Sequence, residues 1–116
     1  MKTLALLPLV LLVALPTACG GEEGPLTPEE AREASGSVTV EGALIAIESE
    51  PVRMCSAILE SYPPQCGEPS LEVRGLDLDS LDLSSTRPGD DVTPARWSDR
   101  PIRLTGTVED GVLLVG

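Results

Sequence analysis

Two of the chain's three cysteines, its only tyrosine and a Pro-Pro pair fall within one stretch, Met54-Cys55-Ser56-Ala57-Ile58-Leu59-Glu60-Ser61-Tyr62-Pro63-Pro64-Gln65-Cys66-Gly67. This stretch limits the fold more than any other. Cys55, Ile58 or Leu59, and Tyr62 recur at the spacing of one helix face, so the sequence predicts a short helix here. Pro63 and Pro64 end it, because proline lacks a backbone donor and disfavours helical geometry in the residue before it. Beyond that turn Cys66 is free to swing back toward Cys55. A disulfide closing a loop of this size contributes roughly 3 kcal/mol in the chain-entropy model, a large share of a small domain's margin. The pairing requires an oxidising compartment.

Residues 37–116 read as the folded domain, long enough for one small core and too short for two. The chain has no phenylalanine and one tryptophan. Its core must come from Val, Leu, Ile and Ala, which favours strands around a narrow interior. Three segments share one pattern: Val38-Thr39-Val40-Glu41-Gly42, Leu71-Glu72-Val73-Arg74-Gly75 and Ile102-Arg103-Leu104-Thr105-Gly106. Each alternates apolar and polar, as a strand with one buried face does, and ends on a glycine that permits a bend. The first strand continues through Ala43 to Ile47, apolar on both sides and so covered on both faces. Asp110-Gly111, between apolar runs, is a strong hairpin signal. The expected fold is mainly β: a small OB-like barrel of about five strands with one short helix and one disulfide, or alternatively a small β-sandwich.

The compartment is written at the start of the chain. Met1-Lys2 gives a positive charge, residues 4–15 are almost wholly apolar, and Thr17-Ala18 place small residues before Cys19. That is the pattern of an export signal, and the apolar run falls short of the about 20 residues that a membrane-spanning helix needs. It resembles the bacterial lipoprotein signal, with Pro16 where that family usually carries leucine. The resemblance implies removal of residues 1–18 as a signal peptide, attachment of acyl chains such as palmitate to Cys19, and anchoring to the outer face of the cell membrane. Export also resolves the odd cysteine count, since Cys19 takes lipid and Cys55 pairs with Cys66. Residues 19–36, rich in Gly, Pro and Glu, are expected to be a flexible lipidated linker, although Thr27-Pro28-Glu29-Glu30 has the composition of a helix start.

Loss of Lys2 leaves seven of the eight basic residues against 19 acids, a net charge of −12. Such a balance argues against nucleic acid or anionic lipid headgroups as partners, because both are held by basic surfaces. Catalysis has little to draw on. There is no histidine, and acid pairs such as Asp77/Asp79 or Asp90/Asp91 are ordinary on an acidic surface. Asp77, Asp79 and Asp82 offer the oxygen ligands calcium prefers. They fail the calcium-loop pattern, however, with Leu81 at a ligand position and Asp82 where the turn needs glycine. No catalytic residue, metal ligand or cofactor is expected. Cys55 and Cys66 are too far apart for a redox Cys-x-x-Cys motif. Arg53-Met54 beside a disulfide is a weak suggestion of a protease-inhibitor loop.

The segment from Cys55 to Gly67, the Trp97 region and the closing Gly-x-Val-x-Asp-Gly hairpin together resemble uncharacterised secreted proteins of high-GC Gram-positive bacteria. That resemblance implies no catalytic residues. Two functions then follow as expectations. One is a non-catalytic protein-interaction module of the cell envelope, whose contact loop includes Tyr62, Pro63, Pro64 and Gln65. The other is a small-ligand carrier using the barrel mouth.

Overall fold

The computed structural model describes residues 24–116. The expected signal peptide, residues 1–18, and the expected lipid site at Cys19 lie outside the described residues. Period-two alternation writes the first strand, β1 (Gly36–Ile47). Its partner β6 (Ile102–Glu109) is antiparallel to it from Gly36↔Val108 to Gly42↔Ile102. Val40, Leu104 and Val108 point into the core. On the outer face the same register places Thr39 opposite Thr105, with their hydroxyls 2.9 Å apart, and Glu41 opposite Arg103, with carboxylate and guanidinium 2.8 Å apart. Such facing pairs fix the register from outside while the apolar set fixes it from inside.

After Gly42, β1 changes partners. Its second half pairs with β2 (Val52–Leu59) on one side through Ala43↔Cys55, and with β5 (Ala95–Trp97) on the other through Ile45↔Trp97. Leu44 and Ile45 are both buried, as their position between two sets of neighbours requires. β2 then pairs with β3 (Gln65–Arg74), which runs parallel to β7 (Val112–Leu114), and β7 returns to β6. The ring β1–β2–β3–β7–β6 is closed. β4 (Ser84–Ser85) pairs with β5 outside this ring. The expected small OB-like barrel is therefore the observed fold.

Val40, Leu44, Met54, Leu71, Val108 and Leu113 are fully buried and fill the barrel interior. Gly106 is required where β6 and β7 close up, because a Cβ there would collide with the Leu114 carbonyl oxygen. The β6–β7 turn is the Asp110-Gly111 hairpin that the sequence signals, with φ of 53° and 78°. Both central residues are left-handed, as a two-residue turn of matching twist demands.

Two expectations need correction. The stretch from Cys55 to Tyr62 is not a helix: Cys55 to Leu59 belong to β2, and residues 60–64 are a hairpin loop into β3. The chain still reverses at Pro63-Pro64, and the Cys55–Cys66 disulfide still closes, with Cα atoms 5.4 Å apart. The short helix, α1 (Pro28–Arg32), lies instead in the segment expected to be linker. Thr27 accepts the Glu30 N–H at 3.1 Å and the Glu30 carboxylate accepts the Thr27 N–H at 2.9 Å, a reciprocal cap. Pro28 and Ala31 are buried, and Ala31 joins the core cluster. Leu26 adds a parallel bridge to Val40: its N–H donates to Thr39 and its carbonyl accepts from Glu41, both at 2.9 Å. The packed body therefore begins near Leu26 rather than at Ser37.

Candidate functional site

The change of partners along β1 opens a groove. β1 pairs with β2 only over Ala43 to Ile45, so beyond Cys55 the outer edge of β2 parts from β1. The first turn of α1 enters the gap. Gly42 admits it: a Cβ there would lie 2.9 Å from Pro28 Cγ and 3.1 Å from the Cys55 carbonyl oxygen. The opposite wall is Trp97 to Pro101, leaving β5. Ser98, only 5% exposed, ties this wall to the floor: its hydroxyl accepts the Leu44 N–H at 2.9 Å and its own N–H donates to the Leu44 carbonyl at 3.0 Å. The groove between these walls has a volume of about 630 Å³, within the range of ligand-binding clefts, roughly 300–1,000 Å³. Ile58, Pro64 and Trp97 give it an apolar lining, with Glu29, Glu41, Asp99 and Arg100 at its rim.

Beside it stands the loop that the sequence proposes as a contact surface. Pro64 lines the groove and also a second, smaller depression, which it shares with Tyr62, Pro63, Gln65, Val92 and Thr93. Tyr62 is held within the molecule more tightly than the sequence suggests. Its hydroxyl donates to the Asp90 carboxylate and accepts the Arg87 N–H at 3.1 Å. Its ring meets Trp97 edge to face, centroids 6.4 Å apart. The Tyr62 hydroxyl, aided by the Arg87 guanidinium 3.5 Å away, holds Asp90 below its usual carboxylate range. The same tyrosine and Asp90 raise Arg87. Tyr62 thus clamps the β2–β3 hairpin to the loop before β5, while the residue stays 47% exposed.

The remaining sequence candidates are dispersed. Asp77 caps a 3-10 turn at Leu78–Ser80, accepting the Asp79 N–H at 3.1 Å, and Asp79 pairs with Arg96 at 2.9 Å. Met54 is fully buried and Arg53 lies within the barrel wall between Glu50 and Glu68, so neither forms an exposed inhibitor loop. Among the described residues no cluster of acids and cysteines is placed to hold a metal ion. The groove was missed from sequence because its walls come from distant segments: α1, β1, β2 and the residues after Trp97. The one available signal was the break in alternation at Met54-Cys55, where two consecutive buried residues precede a bulge in β2.

No protein-family model, curated protein or solved structure matches this chain.

Proposed function

We propose that this chain is a non-catalytic protein-interaction module of the cell envelope, exported and held at the outer face of the cell membrane by lipid on Cys19. The observation that carries the reading is the groove beside the free edge of β2, an apolar cleft on the surface of a barrel whose interior is filled by its own side chains. The Cys55–Cys66 disulfide accords with an exported chain. The loop Tyr62, Pro63, Pro64 and Gln65 forms the rim of the contact surface. Its clamp to Asp90 and Trp97 keeps that rim ordered before a partner arrives, so little entropy is lost on binding.

Packing of Leu26 and α1 on the barrel shortens the tether. Only Gly20 to Glu23 separate the lipid site from Gly24, and the five residue steps from Cys19 to Gly24 span at most about 18 Å. The barrel then works close to the membrane surface, and its partner must be found there.

Photocrosslinking in intact cells tests this reading. A photoreactive side chain at Leu59, 52% exposed at the end of β2, should give a discrete adduct with an envelope protein, whereas the same group at exposed Thr105, on β6, should not. Equal adducts at both positions, or none at either, would contradict the assignment.

A further inference from the structure

The free edge of β2 makes the docking mode specific. Ser56 to Leu59 pair with β3 on one side, at Ala57↔Gly67, Ile58↔Cys66 and Leu59↔Gln65. On the other side the pairing with β1 stops at Cys55. Among the described residues no strand takes its place. A strand alternates the direction of its N–H and C=O groups, so this edge directs part of its backbone toward the groove. The run covers about 13 Å, enough for one short extended segment. Ser56, Ala57 and Leu59 are exposed and Ile58 is half-buried, so the edge is accessible.

The rim charges select the occupant. Glu29 lies on the α1 wall and Asp99 on the opposite wall, and exposed Glu60 follows Leu59, whereas Glu41, also in the lining, is already paired with Arg103. Among the described residues Arg100 is the only cation lining the groove. Elsewhere Arg53, Arg74, Arg87, Arg96 and Arg103 are already paired with acids. A second copy of this chain, itself strongly acidic, would be repelled.

The geometry points to β-strand addition: an extended segment of the envelope partner, apolar at alternate positions and flanked by basic residues, pairs with the Ser56–Leu59 edge and lays its side chains against Ile58, Pro64 and Trp97. This rests on the interaction reading above and deepens it. Main-chain hydrogen bonds hold such a segment, and the groove reads its side chains. The bulge between Cys55 and Ala57 and the shortness of the free run keep the same edge from pairing indiscriminately.

Trp97, the only tryptophan, lines the groove and reports its occupancy. The probe is an eight-residue synthetic peptide of alternating valine and threonine with lysine at both ends, titrated into the mature protein without its lipid. Saturable change in Trp97 emission is expected, together with slowed amide exchange confined to Ser56–Leu59. Methylating the peptide's edge-facing amides removes about two hydrogen bonds and should weaken binding about ten-fold. Replacing its lysines by glutamates should abolish binding. Ala57→Lys, at an exposed position facing Gly67, should block the groove at unchanged melting temperature. Binding that ignores both methylation and charge, or no binding at all, would overturn strand addition. The interaction reading fails separately, by the absence of adducts from Leu59 in cells.

Discussion

Removal of the disulfide tests how the barrel wall is held. In the protein carrying Cys55→Ala and Cys66→Ala, the lost cross-link closes a sequence separation of 11 residues. Chain entropy for a loop of about a dozen residues gives roughly 3 kcal/mol at 25 °C. Cys55 is 1% exposed, so trading its sulfur for hydrogen also leaves a small void, worth about 1 kcal/mol on the scale of one buried methylene group. Cys66 is only partly buried and adds little. The sum, about 3–4 kcal/mol, corresponds to a fall in melting temperature of roughly 15–25 °C for a domain of this size. Thermal unfolding followed by circular dichroism, with urea titration at fixed temperature, measures it. Reducing the native protein should reproduce most of the loss. A double variant within about 1 kcal/mol of the native protein would show that sheet pairing alone fixes the β2–β3 hairpin, and would refute the reasoning.

Three further outcomes are expected. In Tyr62→Phe the Asp90 carboxyl should titrate closer to its usual range, because the hydroxyl that holds it down is gone. Since the folded form has the lower value, the native contribution is present above the usual carboxylate range and is lost as pH falls through the depressed one, so the stability difference between native and variant should shrink in acid; carboxyl NMR titration of both proteins checks this. Ala31→Asp places an unpaired charge on the buried face of α1 and should cost about 3 kcal/mol or more, read by urea unfolding, whereas a freely mobile segment would tolerate it without change. Gly111→Val forces a β-branched residue to a φ of 78° and should cost about 1–2 kcal/mol, read by the same unfolding assay.

The strands that read correctly from sequence are those whose alternation survives folding. Val38 to Gly42, Leu71 to Gly75 and Ile102 to Gly106 each keep one face inside and one outside, and Asp110-Gly111 carries its turn chemistry in two residues. β2 misleads because Met54 and Cys55 are both buried and a bulge follows, so the polar–apolar period fails and Cys55, Ile58 and Tyr62 fall at helical spacing by coincidence. Leu26, Pro28 and Ala31 were lost against their Gly, Pro and Glu background: a composition that argues for disorder hides three residues that bridge, wedge and plug the barrel. The Thr27 cap was legible, but its tertiary use was not, because no local rule says where a short helix docks. Tyr62 was singled out for its chemistry, yet its partners Asp90 and Trp97 are distant in sequence. The groove has the same character, being a property of where strands separate and not of any motif.

Amide hydrogen exchange, compared between the purified mature protein and the same protein in isolated cell envelopes, tests the account most directly. In the purified protein the groove-facing amides of Ser56–Leu59 should exchange quickly, beside slow β1 and β3. In envelopes the account predicts that these amides alone become strongly protected, as a strand from the partner takes the free edge of β2. Identical exchange of Ser56–Leu59 in the two preparations would contradict it.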